Sequence, residues 1–170
     1  YWKGSHFIKK IMSNKIYREC VGITVFNSFG HIWIGKRTDI IETDEWQMPQ
    51  GGINKGELPL EAAKRELFEE TGLKNVSFIK DSSKWLKYDF PKEILLNKKN
   101  KGQKQKWHLF HFSGNDQEVN LNIYKKPEFS EWKWATIDST IEQIVNFKKS
   151  VYISLFEEFR PLIRINSKYL

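Results

Sequence analysis

Glu66, Glu69 and Glu70 fall at i, i+3 and i+4 within the stretch GGINKGELPLEAAKRELFEETGL, residues 51–73. On a helix that spacing sets all three carboxylates on one face. Like charges so close repel one another, weaken a bare helix and raise each other's pKa unless a cation sits among them. A cluster of hard oxygen donors is what Mg²⁺ or Mn²⁺ prefers. The plain alternative is a solvated acidic surface, which is how Glu61 and Glu142, taken singly, read.

The rest of the chain reads as a frame that holds this helix against a substrate. Residues 21–26 are a β-rich run, Asn27-Ser28-Phe29-Gly30 a turn, and 31–37 a second run, together a hairpin. Residues 38–46 form a polar loop, and Trp46-Gln47-Met48-Pro49 leads into the double glycine. The acidic helix starts near Leu58, with Pro59 in its first turn and Gly72 just past its end, where a left-handed cap belongs. Leu60, Ala63 and Leu67 repeat at helical spacing and are expected to pack on a sheet. Short strands are expected at 76–80, 84–90, 107–113 and 132–136, with a lysine-rich polar loop over 91–106. Helices are expected at 138–146 and 150–159, the second stopped by Pro161. A mixed β-sheet sandwiched between helices, α/β/α in layers, is the architecture these elements support.

The chain has 170 residues, 39% apolar and 29% charged, consistent with one globular domain. No apolar run is long enough for a membrane span, so no membrane partner is expected. Cys20 is alone, which excludes a disulfide framework and fits a reducing, cytoplasmic setting. His6, His31, His108 and His111 show no metal-ligand spacing, and His108 and His111 would face opposite ways on a strand. The net charge of +7 suggests polyanionic partners. Three of the lysines lie in residues 1–11, which read as an appended or upstream leader before a natural start at Met12, leaving 12–170 as a single domain.

Gly51, five residues, Glu57, seven residues, then Arg65-Glu66-Leu67-Phe68-Glu69-Glu70-Thr71-Gly72-Leu73 matches the Nudix hydrolase signature at every defined position. Tyr17-Arg18, Val21-Gly22-Ile23, Pro49-Gln50-Gly51-Gly52, Gly102-Gln103-Lys104-Gln105-Lys106-Trp107 and Pro127-Glu128-Phe129 extend the likeness. Through them residues 17–159 resemble bacterial RNA 5′-pyrophosphohydrolases, a group that overlaps the dinucleoside polyphosphate hydrolases. The resemblance implies the Nudix fold, dependence on Mg²⁺ (or Mn²⁺), and hydrolysis of a phosphoanhydride. It implies metal ligands at Glu66, Glu69, Glu70 and Glu128, with a backbone carbonyl near Gly51. Glu66 is left open between third ligand and the base that takes a proton from water, because coupled carboxylates titrate as a set. Arg65 and Glu57 are expected to support the loop–helix turn and orient the carboxylates.

A triphosphate end needs cations for phosphate and aromatic faces for bases. Arg18 and Arg37 resemble the family's phosphate-contacting arginines. Val145-Asn146-Phe147-Lys148 resembles the segment holding the first bases of a transcript, with Phe147 stacking, Lys148 reaching a phosphate or base edge, and Tyr88 a further stacking candidate. The lysines of 92–106 would attract RNA backbone only non-specifically. The leading expectation is removal of pyrophosphate from the 5′-triphosphate end of RNA, leaving a monophosphate and so initiating decay. The alternatives are a diadenosine tetra- or pentaphosphate hydrolase and, from another class, a non-catalytic RNA-binding module. The expected partners are RNA 5′ ends or dinucleoside polyphosphates, and the expected state is a monomer or weak oligomer. The chain departs from the group at Glu19, Met48, His108 and in the length of loop 38–46.

Overall fold

The computed structural model describes residues 4–7, 9–10, 15–39 and 45–170. The Met12 start, parts of the 1–11 leader and the middle of loop 38–46 lie outside the described residues. In chain order the elements are β1 (Tyr17–Phe26), β2 (Ile32–Arg37), β3 (Trp46–Gln47), β4 (Gln50–Gly52), α1 (Pro59–Thr71), β5 (Val76–Asp81), β6 (Leu86–Asp89), α2 (Lys92–Leu95), β7 (Gly102–Phe112), β8 (Phe129–Ala135), α3 (Ile137–Gln143) and α4 (Lys149–Asn166). Short 3₁₀ turns stand at Asp116–Glu118 and Asn146–Lys148, and 4–7 and 9–10 are helical.

The eight strands among the described residues form one mixed sheet with the path β3-β2-β1-β7-β5; β4 pairs with β1, β6 with β7 and β8 with β2. The expected hairpin is present, β1 meeting β2 antiparallel at Phe26 and Ile32. The long central pairing of β1 with β7 is parallel, from Tyr17–Gly102 to Phe26–His111. Period-2 alternation along β1 sends Val21, Ile23 and Val25 to one face, where they pack with Ala62, Ala63 and Leu67 of α1 and with Phe110 and Phe112 of β7. Phe26, Ile32, Ile34, Trp107 and Leu109 go to the other face, against Tyr152, Leu155, Phe156 and Phe159 of α4. Each fully buried aromatic or branched side chain contributes about 1.5–3 kcal/mol, so both helical layers are held by the sheet's own alternation. The α/β/α layering is the expected one.

Helix α1 begins and ends as its sequence requires. Pro59 occupies its first turn, and the Glu61 carboxylate accepts from the Leu58 N–H at 3.2 Å, so this acid caps the helix instead of standing idle in solvent. Gly72 closes the helix at φ +76°, with its N–H donating to the Phe68 carbonyl at 2.8 Å.

Two expectations are corrected. Helix α4 does not stop at Pro161 but runs to Asn166. Proline removes one N–H, and the Glu157 residue left without that donor is exposed, so water can satisfy its carbonyl. Ile163, fully buried beyond the proline, rewards continuation. Nor is 91–106 all loop: Lys92–Leu95 makes a helical turn, and β7 starts at Gly102, five residues before the expected strand. Gln103, Gln105 and Trp107 then alternate with Lys104, Lys106 and His108, a period-2 pattern hidden by polar side chains on both faces. Met48, one of the departures from the group, is fully buried in the core, its N–H taking the Tyr152 hydroxyl as acceptor at 2.9 Å. No helix among the described residues is long and apolar enough to cross a membrane.

Candidate active site

A cavity of about 320 Å³ opens where the N-terminal part of β1, β4, the acidic face of α1, β6 and the 3₁₀ turn before α4 converge. Its floor carries Gly51, Glu66, Glu70 and Glu128; its cations are Arg18, Arg37, Lys98 and Lys148; its rings are Tyr88, Phe90 and Phe147. Nine of the sequence-predicted residues therefore line one cavity.

The acids are held in different ways. Arg65, on the turn of α1 next to Glu66, organises them. Its Nε and Nη2 each donate at 2.8 Å to the two oxygens of Glu57, and Nη2 also reaches the Gly52 carbonyl at 2.9 Å. Its Nη1 donates to Glu66 at 2.8 Å and to Glu69 at 3.3 Å. One fork thus joins the glycine loop to the helix and orients two of its three acids. Glu57 also accepts from the Asn54 N–H at 3.0 Å. Arg65 first, and then that N–H, hold the Glu57 carboxyl down at about 2.

Glu70 is nearly inaccessible, at 8% exposure, and its Oε2 has no hydrogen-bond partner among the described residues. Burial, then the charges of Glu128 and Glu66, push its pKa well above the ordinary carboxylate range. Burial also raises Glu66, against the pull of Arg65. A Cβ at Gly51 would overlap the Glu66 carboxyl, so only glycine lets the β4 backbone approach it. Glu69 stands off the cavity wall: its Oε1 accepts from the Tyr124 hydroxyl at 3.1 Å and its Oε2 from Arg65.

Among the described residues no three His, Cys, Asp or Glu side chains stand as a finished metal cage. The donor chemistry nevertheless fits a divalent cation. An orphaned carboxylate oxygen on Glu70, carboxyls that raise one another's pKa and a close-approach glycine form an anionic cradle that Arg65 compensates on its Glu66 and Glu69 side and not at Glu70.

On the opposite wall the cations are only partly satisfied among the described residues. Arg37 pairs with Asp39 at 2.5 Å through Nη2, but its buried Nε has no partner among the described residues. Lys148 is 4% exposed, and among the described residues its ammonium donates only to the Gln47 side-chain oxygen, at 3.3 Å. Burial, assisted by the Arg37 charge, lowers its pKa to about 8. Its ammonium lies 5.4 Å from the Tyr88 ring centroid and 5.8 Å from that of Phe147. Tyr88, Phe90 and Phe147 pack on one another with centroids 5.6–6.3 Å apart. Tyr88 is only 5% exposed, so it backs the wall more than it offers a free face. Val145 does not line the cavity; it packs against the apolar core, and its carbonyl accepts from the Lys148 N–H at 3.0 Å.

Sequence reasoning missed a row of amides. Gln105, 1% exposed on β7, donates to Gln50 and Gln103 at 2.9 Å each and accepts from Trp107 Nε1 at 3.2 Å. Gln50 and Gln103 both line the cavity. The alternation of Gln103, Gln105 and Trp107 was the available signal. Tyr124, in the long loop before β8, carried none.

Residues 16–155 match the family model described as the NUDIX domain. The RNA pyrophosphohydrolase of Bartonella clarridgeiae is 45% identical over 156 residues, covering 85% of this chain and 90% of that protein. That of Wolbachia sp. subsp. Drosophila simulans (strain wRi) is 45% identical over 154 residues, covering 89% and 94%. Among solved structures, the E. coli dihydroneopterin triphosphate pyrophosphohydrolase superposes with a TM-score of 0.66 at 16% identity, covering 84% of this chain and 97% of that one. A C. elegans Ap4A hydrolase gives 0.60 at 17%, covering 84% and 98%, and these two likenesses speak to fold alone. Fold, glycine loop, acidic helix and sequence relatives agree: the chain belongs to the NUDIX domain family.

Proposed function

We infer that this protein is a hydrolase of RNA 5′ ends, cutting pyrophosphate from a 5′-triphosphate to leave a 5′-monophosphate. The observation that carries the reading is a pairing of opposites in one cavity: a carboxylate oxygen on Glu70 and a guanidinium nitrogen on Arg37, each unpartnered among the described residues. A polyphosphate with its divalent counter-ion would complete both at once. The relatives named RNA pyrophosphohydrolase, 45% identical over most of both chains, support the choice of RNA.

Glu66, Glu69, Glu70, Glu128 and the Gly51 carbonyl are the groups that would hold Mg²⁺ or Mn²⁺, with Glu69 leaving Tyr124 to join them. When bound, such an ion neutralises phosphate charge and acidifies a coordinated water. Arg18, Arg37 and Lys148 bind the phosphate oxygens, the arginines by forks that suit them. The rings of Phe147, Phe90 and Tyr88 set the first base beside the cations. Arg65 holds Glu66 against the glycine loop before substrate arrives, so less reorganisation is left to the reaction. Water adds to phosphorus, its proton goes to a carboxylate of the cradle, and the anhydride bond to the departing pyrophosphate breaks.

The test is RNA carrying a γ-labelled 5′-triphosphate, incubated with the protein and Mg²⁺. Label released as pyrophosphate, with monophosphorylated RNA remaining, is the expected result; no release by folded protein contradicts the reading. The dinucleoside polyphosphate alternative would use the same cavity. A larger kcat/KM for diadenosine tetraphosphate than for triphosphate RNA would favour it.

A further inference from the structure

The cavity accounts for one end of a substrate, but a row of lysines and rings continues beyond it. Lys98 lines the cavity and sits 5.4 Å from the centroid of Phe90, also on the wall. Phe90 donates its N–H to the carbonyl of Lys101 at 2.8 Å, which places Lys101 at the rim. The Lys101 ammonium lies 4.5 Å from the Tyr17 ring and that of Lys87 lies 5.1 Å from the same ring. Lys104, next along β7, lies 5.3 Å from the ring of Trp85. The row therefore leads from the cavity, around the sheet end where Tyr17, Gly102 and Asp89 are neighbours, and onto the outer face of β6 and β7.

Two features separate this row from ordinary solvated lysines. Lys87 and Lys104 are direct partners across antiparallel β6 and β7, and like charges directly opposite destabilise a sheet. Neither they nor Lys98 and Lys101 make an ion pair among the described residues; the ion pairs nearby belong to Lys106 with Asp81 and to Lys80 with Glu158. Acids beside the row among the described residues are Glu19, opposite Lys104 in the β1–β7 register, Asp89, which accepts from the Tyr17 hydroxyl, and Asp81, taken up by Lys106. A polyanion laid along the row would relieve the Lys87–Lys104 repulsion. The rings add a feature that a simple polyanion does not use: flat faces of Tyr17 and Trp85, each half-buried beside a cation.

We propose that Lys87, Lys101 and Lys104, with Tyr17 and Trp85, form a second binding surface for single-stranded RNA, taking the nucleotides downstream of the end held in the cavity. Phosphates meet the lysines and bases stack on the rings, the combination used for strand binding without sequence readout. The inference rests on the RNA reading above, and the chemistry of the cavity does not depend on it.

The test measures binding with no catalysis. Fluorescent 5′-hydroxyl single-stranded RNAs of two and twelve nucleotides are titrated with the protein, without divalent ion, by anisotropy across a salt series. The twelve-mer should bind more tightly than the two-mer. Its salt dependence should be shallower by about 2 in log–log slope in the triple variant Lys87→Gln/Lys101→Gln/Lys104→Gln, from about 0.7 per phosphate contact on a single strand. Replacing Trp85 by Ala should weaken the twelve-mer several-fold with no change of slope. Equal affinity of the wild-type protein for both lengths overturns the proposal, and so does a variant slope equal to that of wild type. Poly-glutamate of matched charge competing as well as the twelve-mer also overturns it, because the rings would then play no part. A twelve-mer that binds as described while γ-labelled RNA is not cleaved would leave the surface standing and remove the catalytic reading, so the two fail separately.

Discussion

Arg65 and Glu57 meet through two parallel hydrogen bonds of 2.8 Å, one residue on helix α1 and the other in the loop that feeds it. The pair converts a glycine-rich loop into a fixed approach, because the same guanidinium also holds the Gly52 carbonyl and the Glu66 carboxylate. On the proposed function Arg65 would act by positioning, its effect reaching the reaction through the acids it holds.

Replacing Arg65 by Lys keeps the charge but loses the fork. Activity should fall about 10–100-fold, the usual cost of removing a group that orients ligands. Apparent Mn²⁺ affinity, read by fluorescence quenching or calorimetry, should fall with it. Full activity in the lysine variant would contradict the role.

The Glu57 carboxyl is held at about 2, below its ordinary 4.5. Its folded pKa is depressed, so its stabilising contribution is complete above 4.5 and is lost as pH falls toward 2. Thermal midpoints taken from pH 6 down to pH 2.5 should therefore drop more steeply for wild type than for Glu57→Gln. Parallel curves for the two proteins would show that the pair is not linked to stability.

Lys148 carries a pKa lowered to about 8 by burial, so the free enzyme loses this charge as pH rises through that value. Because kcat/KM reports groups on the free enzyme, its profile for triphosphate RNA should turn down near pH 8. Lys148→Arg stays charged and should lack that limb, while Lys148→Ala should harm RNA substrates more than dinucleotides. An unchanged limb in the arginine variant would assign it elsewhere.

Gly51→Ala drives a methyl group into the Glu66 carboxyl. The strand position itself tolerates alanine, since Gly51 pairs with Val21 in regular β4 geometry. Turnover should drop at least tenfold, from the displaced acid, with a stability loss of about 1–3 kcal/mol from overpacking. Denaturant melts and steady-state kinetics on one preparation separate the two.

How much of this was legible beforehand depended on whether a local rule or a distant contact decided the element. Helix α1 could be read from end to end because Pro59, the apolar stripe at Ala63 and Leu67, and Gly72 all act locally. The β1–β2 hairpin was equally plain. Pro161 misled because the buried Ile163 lies beyond it, and burial against the sheet is invisible to a stop rule. The start of β7 was obscured by lysines and glutamines on alternating faces. Glu66 and Glu70 were legible from helical spacing, and Glu128 and the cations of the cavity through the family resemblance, whereas the Gln50–Gln105–Gln103 row and the Tyr124–Glu69 bond exist only through long-range pairing. Val145 belongs to the same motif as Lys148, but the turn at Asn146–Lys148 directs it into the core.

The central claim is that the carboxylates around Glu70 are a cradle for a divalent ion, and Mn²⁺ binding followed by electron paramagnetic resonance addresses it most directly. Wild-type protein should remove free Mn²⁺ signal in a saturable way, more tightly when a non-hydrolysable triphosphate is present. Glu70→Gln should bind at least tenfold more weakly while melting no lower than wild type at pH 7, since burial and the neighbouring acids make its charge costly there. A folded Glu70→Gln protein that titrates like wild type, or a wild-type protein that leaves the Mn²⁺ signal untouched, would contradict the account.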